Sequence, residues 1–159
     1  MFIGLDLGTS HLKGIVIDDA QNVCAEASVS LSLMRPKNGW SEQNPQDWLD
    51  ATENVMASLA NKVNLKKVNA IGLSGQMHGA TLLDKNDNVL RPCILWNDTR
   101  SAEEASYLDS KTIFRNLTGN IVFPGFTAPK LAWVRKHEPN IFEKISKVLL
   151  PKDYLRLWL

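Results

Sequence analysis

Cysteine is scarce in this chain: Cys24 and Cys93 are the only two in 159 residues, and neither sits in a Cys-x-x-Cys or other metal-ligand spacing. A disulfide-built scaffold and a zinc-ribbon site are thereby excluded, and both thiols are expected to be reduced and partly buried. Charge of one sign is equally scarce. Eighteen Lys and Arg stand against 17 Asp and Glu, a net charge of +1, so no nucleic-acid partner is expected. No apolar run reaches the ~18 residues of a membrane-spanning helix, so no membrane partner is expected either. The first residues enter a strand-like pattern without the basic and small-residue features of a secretory signal, which predicts a cytoplasmic chain. Internal repeats, low-complexity stretches and linkers are missing too. The basic segments Lys66-Lys67 and Arg135-Lys136-His137 read as solvated faces.

What is present starts at the first residue. Met1-Phe2-Ile3-Gly4-Leu5-Asp6-Leu7-Gly8-Thr9-Ser10 is a short apolar run that ends in a carboxylate, a glycine and two hydroxyls. Phe2 to Leu5 read as a buried strand. Gly8 permits a tight turn and close approach of a ligand to the backbone. Thr9 and Ser10 place hydroxyls beside backbone N–H groups, a combination that holds anions. The following segment, Leu12 to Asp18, reads as a second strand closed by the Asp18-Asp19 turn. The loop therefore joins two strands and opens no helix, which argues against a Walker A loop and a dinucleotide fingerprint. A metal–nucleotide phosphate site fits, with Asp6 facing Mg²⁺; an ordinary hairpin with a solvated aspartate fits as well.

Farther along, Val23–Leu33 reads as a third strand. Pro45 opens a helix that Asn44 caps, with Trp48, Ala51, Val55, Leu59 and Val63 as its apolar stripe. Val68–Leu73 reads as a further buried strand, and Ala80–Leu83 with Val89–Leu90 as a hairpin. Cys93–Trp96 is a short apolar segment, Ser101–Leu108 and Thr127–Lys136 are helices, and Lys147–Leu150 is a last strand. Three strands, a helix and a strand in that order predict an α/β domain with a mixed sheet and flanking helices. The closing Pro151–Leu159 helix start ends on an apolar residue without a C-cap, as expected of a chain truncated within a larger domain. Exposed Leu155, Trp158 and Leu159 would favour association, including a homodimer.

Three further segments carry polar groups suited to a ligand. Ser74-Gly75-Gln76-Met77-His78-Gly79 follows a strand, where open α/β sheets bind ligands. Gln76 and His78 can hydrogen-bond a polyol; His78 can equally serve as a structural donor. Leu95-Trp96-Asn97-Asp98-Thr99-Arg100 offers an aromatic wall and polar groups for hydroxyls, or a helix cap at Asp98 or Thr99. The stretch from Thr118 through Pro124-Gly125-Phe126-Thr127-Ala128-Pro129-Lys130 is either a wall of the same site or a structural loop, with Lys130 a surface charge.

Taken in order, Asp6-Leu7-Gly8-Thr9-Ser10, Trp40-Ser41-Glu42-Gln43, Gly75-Gln76-Met77-His78-Gly79, Leu95-Trp96-Asn97-Asp98 and Pro124–Lys130 resemble the N-terminal part of the FGGY carbohydrate kinase family. The resemblance covers essentially the whole chain. It implies the ribonuclease-H-like (actin-like ATPase) fold, with two domains and ATP and Mg²⁺ deep in the cleft between them. Residues 1–159 would be an incomplete domain I, and the C-terminal ATP-binding domain would be absent. By resemblance, Asp6 holds Mg²⁺ and is catalytic, while Gly8, Thr9, Ser10 and Lys13 line the phosphate path. Gln76, Met77 and His78 contact the sugar, and Trp96 and Asp98 form its wall. The Gln-Met-His-Gly segment favours D-xylulose over glycerol as acceptor, because the glycerol-specific branch carries an arginine–glutamate pair there. The general base of these kinases lies beyond residue 159, so the 159-residue stretch alone is expected to be inactive. A non-catalytic sugar- or polyol-binding module is the alternative reading.

Overall fold

β-branched and aliphatic residues alternate with small or polar ones through the first 30 residues, and the computed structural model, which describes residues 1–159, folds them into three consecutive strands. In chain order the strands are β1 (Phe2–Leu7), β2 (His11–Ile17), β3 (Val23–Ser30), β4 (Glu42–Gln43), β5 (Ala70–Gly75), β6 (Thr81–Leu83), β7 (Cys93–Ile94) and β8 (Lys147–Leu149). The helices are α1 (Pro45–Ala60), α2 (Ala102–Asp109), α3 (Thr112–Thr118), α4 (Thr127–His137), α5 (Pro139–Phe142) and α6 (Pro151–Trp158). No helix is long and apolar enough to cross a membrane. The chain divides into two units. The first holds 1–33, 45–76 and 151–159, and the second holds 34–44 and 77–150.

In the first unit a four-stranded sheet has the order β3-β2-β1-β5. β1 is antiparallel to β2 and parallel to β5, so the sheet is mixed. A parallel return needs a long connection, and the chain reaches β5 by way of α1. One face of β1 and β2 points Ile3, Leu5, Leu7, Leu12 and Val16 inward, all at most 2% exposed. The helical stripe of Trp48, Ala51, Val55 and Leu59 is buried in α1, which packs across β2 and β3. α6 lies beside α1, where the Trp48 and Tyr154 rings meet edge to face at 6.2 Å. Leu155 is fully buried, whereas Trp158 and Leu159 are about half exposed.

The opposite face is open. β1 is a half-buried strand rather than a buried one, because Phe2, Gly4 and Asp6 point away from α1. β5 starts at Ala70 rather than Val68 and is mostly exposed, since it forms the sheet edge. β3 ends at Ser30, three residues before the expected Leu33. Both cysteines also differ from expectation: Cys24, on edge strand β3, is exposed and Cys93, on β7, is fully buried.

Two loops share one construction. Asp18 accepts hydrogen bonds from the backbone N–H of Ala20 and Asn22 and from the Asn22 amide. Asp84 does the same with Asn86 and Asn88. Each loop places its fourth residue, Gln21 or Asp87, at positive φ, and the amide donors hold both carboxyls below the usual aspartate range.

In the second unit, β4 pairs antiparallel with β7 and β6 with β8. Its core consists of Ala80, Leu82, Ile94, Trp133 and Val134. α3 and α5 are additional to the expected elements. α3 has no buried residue, so no apolar stripe announced it. It ends at Gly119, whose φ of 67° allows its N–H to reach the Arg115 carbonyl.

Gly14 marks a close contact between α1 and the sheet. A Cβ there would lie 2.5 Å from Val55 Cγ1 and 3.1 Å from Leu59 Cδ1. Gly14→Ala is therefore expected to destabilise the fold by about 1–3 kcal/mol through overpacking. The measurement is the urea unfolding midpoint, and adding Val55→Ala should return part of the loss. An unchanged midpoint in the single variant would contradict this packing.

Candidate functional site

The turn between β1 and β2 is built by register. Leu7 pairs with Leu12, and the Gly8 N–H donates to the His11 carbonyl at 3.0 Å. Asp6 and Lys13 face each other across the pair on the open side of the sheet, with Ser74 of β5 on the other flank of Asp6. No hydrogen bond or ion pair engages the Asp6 carboxylate, although Lys13 lies opposite. A trough of about 470 Å³ runs over this face, lined by Gly4, Asp6, Lys13, Ile15, Gly72 and Ser74 among others. The Ser10 side is exposed and Gly8 and Thr9 are half-buried.

Gln76 belongs to this turn. Its backbone N–H donates to the Leu7 carbonyl at 2.8 Å. Its side-chain oxygen accepts from Thr9 Oγ1 at 3.2 Å, and its amide nitrogen donates to the Gly8 carbonyl at 3.5 Å. Only 6% of the residue is exposed. Gln76 thus braces the Gly8-Thr9 turn from the end of β5.

A fit to Mg²⁺ rests on Asp6 alone, because no group of three or more His, Cys, Asp or Glu residues is arranged as a metal cage. One carboxylate is enough for a cation that keeps several waters and takes its other ligands from a substrate's phosphates. The Asp6 carboxylate fits that requirement, and the facing Lys13 offers a positive charge to such phosphates.

In the second unit, Met77, His78, Trp96, Phe126 and Lys130 lie on segments that hydrogen bonds and ring contacts join. The His78 ring packs against Phe126 with centroids 4.6 Å apart, and Phe126 meets Phe123 at 6.1 Å. Met77 and Trp96 are exposed large apolar side chains, at 57% and 46%. Burial, and then the nearby Lys130 charge, lower the His78 pKa below its ordinary 6.5. The imidazole is therefore neutral at pH 7, with one nitrogen to donate and one to accept. Exposed apolar faces beside such a group suit a sugar, which presents C–H surface and hydroxyls together.

Two expectations need correction here. Asp98 is not a wall residue available to a ligand. It is 1% exposed, and its oxygens accept from Ser41 N, Arg100 N, Arg100 Nε and Arg100 Nη2. Lys130 is not a surface charge. It is fully buried, and its Nζ donates to the carbonyls of His78 and Gly125, each at 2.7 Å. One signal in the sequence pointed to this: a lysine close to the start of a helix opposes the helix dipole and so calls for a specific partner. Gly125 reads in the sequence only as part of a wall or a structural loop. A Cβ there would lie 2.4 Å from the Trp96 carbonyl oxygen, so the two segments approach at a distance only glycine permits.

Residues 1–159 match the FGGY family of carbohydrate kinases, N-terminal domain. The xylulose kinase of Escherichia coli (strain K12) is 52% identical over 158 residues, covering 99% of this chain and 33% of that protein. Among solved structures, a xyloylose kinase from Brucella ovis matches with a TM-score of 0.96 at 59% identity, covering 99% of this chain and 34% of that one. The xylulose kinase from Rhodospirillum rubrum matches with a TM-score of 0.93 at 33% identity, covering 99% and 33%. The chain spans about a third of the length of the curated relatives it matches.

Burial pushes Lys130 from the ordinary 10.5 down to about 8; Cys93 and Asp98 oppose the shift and Arg100 adds to it. The folded state disfavours the charged form, so the unfolded chain binds more protons between those values and stability rises with pH there. The wild type is expected to gain stability relative to Lys130→Met as pH rises from 8 to 10.5, read as the difference in urea midpoints. A difference that stays flat across this window would contradict the buried charge.

Proposed function

Because this chain belongs to the FGGY family of carbohydrate kinases and carries the actin-like ATPase fold of its solved relatives, we propose that it is the N-terminal part of an ATP-dependent kinase. The reaction is transfer of the ATP γ-phosphoryl group to a hydroxyl of D-xylulose, giving D-xylulose 5-phosphate. The relatives named as xylulose kinases support the choice of sugar. Residues 1–159 form the first part of domain I, and the remainder of the enzyme supplies the adenosine pocket and the general base.

The observation that carries this reading is the Asp6 carboxylate. It is exposed on the open sheet face, has no protein partner, and stands two residues before a turn that fits phosphate. ATP with Mg²⁺ supplies the phosphoryl group and neutralises charge as that group transfers. Within this chain, Asp6 would help hold the cation, directly or through water. Gly8, Thr9 and Ser10 line the phosphate path, where the glycine lets a phosphate approach the backbone closely and the Ser10 hydroxyl can donate to it, with Lys13 as the nearby positive charge. Gln76 keeps that turn in place. Met77, the neutral His78 and Trp96 contact the sugar, orienting its hydroxyls and covering its C–H surface. Positioning and charge stabilisation account for most of phosphoryl transfer, and these residues serve both.

In the full-length enzyme, Asp6→Asn is expected to lower kcat with D-xylulose on the order of 100-fold or more, with the sugar KM changed much less. A coupled assay of ADP formation reads both parameters. An Asp6→Asn enzyme with wild-type turnover would remove the metal-holding role and, with it, this account of the site.

A further inference from the structure

His78 is the centre of an unusual turn. The Gly79 N–H donates to the Met77 carbonyl at 2.8 Å, closing a three-residue loop, and His78 itself has φ of 61°. A three-residue turn with positive φ at its centre is the strained, rare kind, and a non-glycine residue holds it only where the surroundings over-determine it. The surroundings here are two side chains of α4. Lys130 Nζ and, at 3.2 Å, Thr127 Oγ1 both donate to the His78 carbonyl. Lys130 also donates to the Gly125 carbonyl, so one ammonium links two segments 47 residues apart, the Met77–Gly79 turn and the Gly125–Phe126 loop. The His78 ring then rests on Phe126, the residue after Gly125. His78 is therefore gripped at its carbonyl and at its ring by one short stretch of chain, residues 125–130.

An apolar side chain would fill the volume of Lys130 with no charge to desolvate, and burial of a cation is costly. What it could not do is satisfy two inward-pointing carbonyls at once. The lysine is explained by the geometry it enforces rather than by core packing.

We propose that Lys130 is a positioning residue for the sugar: with Thr127, it locks the Met77–Gly79 turn in the conformation that presents Met77 and His78 to the substrate. The inference rests on the reading of Met77 and His78 as sugar contacts. Neither Lys130 nor Thr127 touches the sugar. Their effect passes through the backbone of His78.

The test uses the full-length enzyme and steady-state kinetics with D-xylulose and ATP, comparing wild type with Lys130→Met, Thr127→Val and His78→Ala. Lys130→Met is expected to raise the KM for D-xylulose about tenfold or more, and Thr127→Val about two- to fivefold, because loss of the grip weakens ground-state binding of one substrate. The KM for ATP should stay within twofold in both. A purely structural lysine would lower thermal stability and leave the ratio of the two KM values alone. If Lys130→Met does not fold, Thr127→Val decides. Sugar KM unchanged in the folded variants, while His78→Ala raises it, would overturn the positioning role and leave the sugar site standing. Sugar KM unchanged in His78→Ala would instead overturn the sugar site, and the positioning role with it.

Discussion

Glu42 has only 6% of its surface exposed, yet two guanidinium groups converge on its carboxylate. Arg91 pairs with it and with Glu138; Arg100 pairs with it at 2.7 Å and with Asp98 at 2.7 Å. Trp40 and Trp133 enclose this cluster. Their rings meet edge to face at 5.3 Å, and the Arg100 guanidinium lies 3.6 Å from the Trp40 centroid. Buried ion clusters of this kind add little net stability, but removal of one member strands the others at a cost of about 3–5 kcal/mol. Their value is in specifying a single arrangement. Here Asp98 holds the Ser41 N–H, and the Leu95 N–H donates to the Ser41 carbonyl at 3.0 Å. The segment between those two anchors contains Trp96, so the position of the exposed indole follows from the charges behind it. The close approach of Gly125 to the Trp96 carbonyl extends the same dependence to the loop that carries Phe126.

The Asp6–Ser10 turn and the Met77–Gly79 segment rest on different physics. The first is a backbone device: a register-closed turn between two antiparallel strands, braced by the Gln76 amide, with one unpartnered carboxylate alongside. The role proposed for it depends on backbone geometry and a fixed charge, and few side chains are needed. The second is a side-chain device, in which exposed apolar faces, a neutral imidazole and a buried cation stand together. Substitutions should accordingly be tolerated differently in the two segments. The turn at Gly8 is limited by backbone geometry, and the His78 segment by the partners that hold a strained residue.

Much of this was legible in the sequence where a local rule and the fold agree. The strand–turn–strand at Asp6–Ser10, the α1 stripe from Trp48 to Leu59 and the Asp84–Asn88 hairpin all follow from period and turn chemistry. The exposure of β1 and β5 was not legible, because a short apolar run reads the same whether one face or both are covered, and strand order decides which. α3 was invisible for a related reason: a helix with no buried face has no period. Asp98 and Lys130 failed differently. Asp98 reads as a free polar group until Arg100, two residues on, turns back onto it. Lys130 reads as solvated until the carbonyls of His78 and Gly125, 52 and 5 residues distant, converge on it. The His78 carbonyl leaves no trace in the local pattern around Lys130, whose place near a helix start is the one hint of a specific partner. Gln76 reads as a sugar contact in the sequence, but its side chain turns to Thr9 and Gly8, which are far away in sequence and adjacent only through the parallel pairing of β1 and β5.

The contrast between the two cysteines has a practical side. Cys93 is sealed in the second unit beside Thr81, with its thiol pushed up to about 12 by burial, so it offers almost no nucleophilic thiolate at neutral pH. Cys24 stands exposed on the edge strand of the first unit. A maleimide dye or spin label would therefore select one position of this native chain without mutagenesis. That position lies on the sheet that carries the Asp6 turn, which gives spectroscopy a single reporter on the first unit.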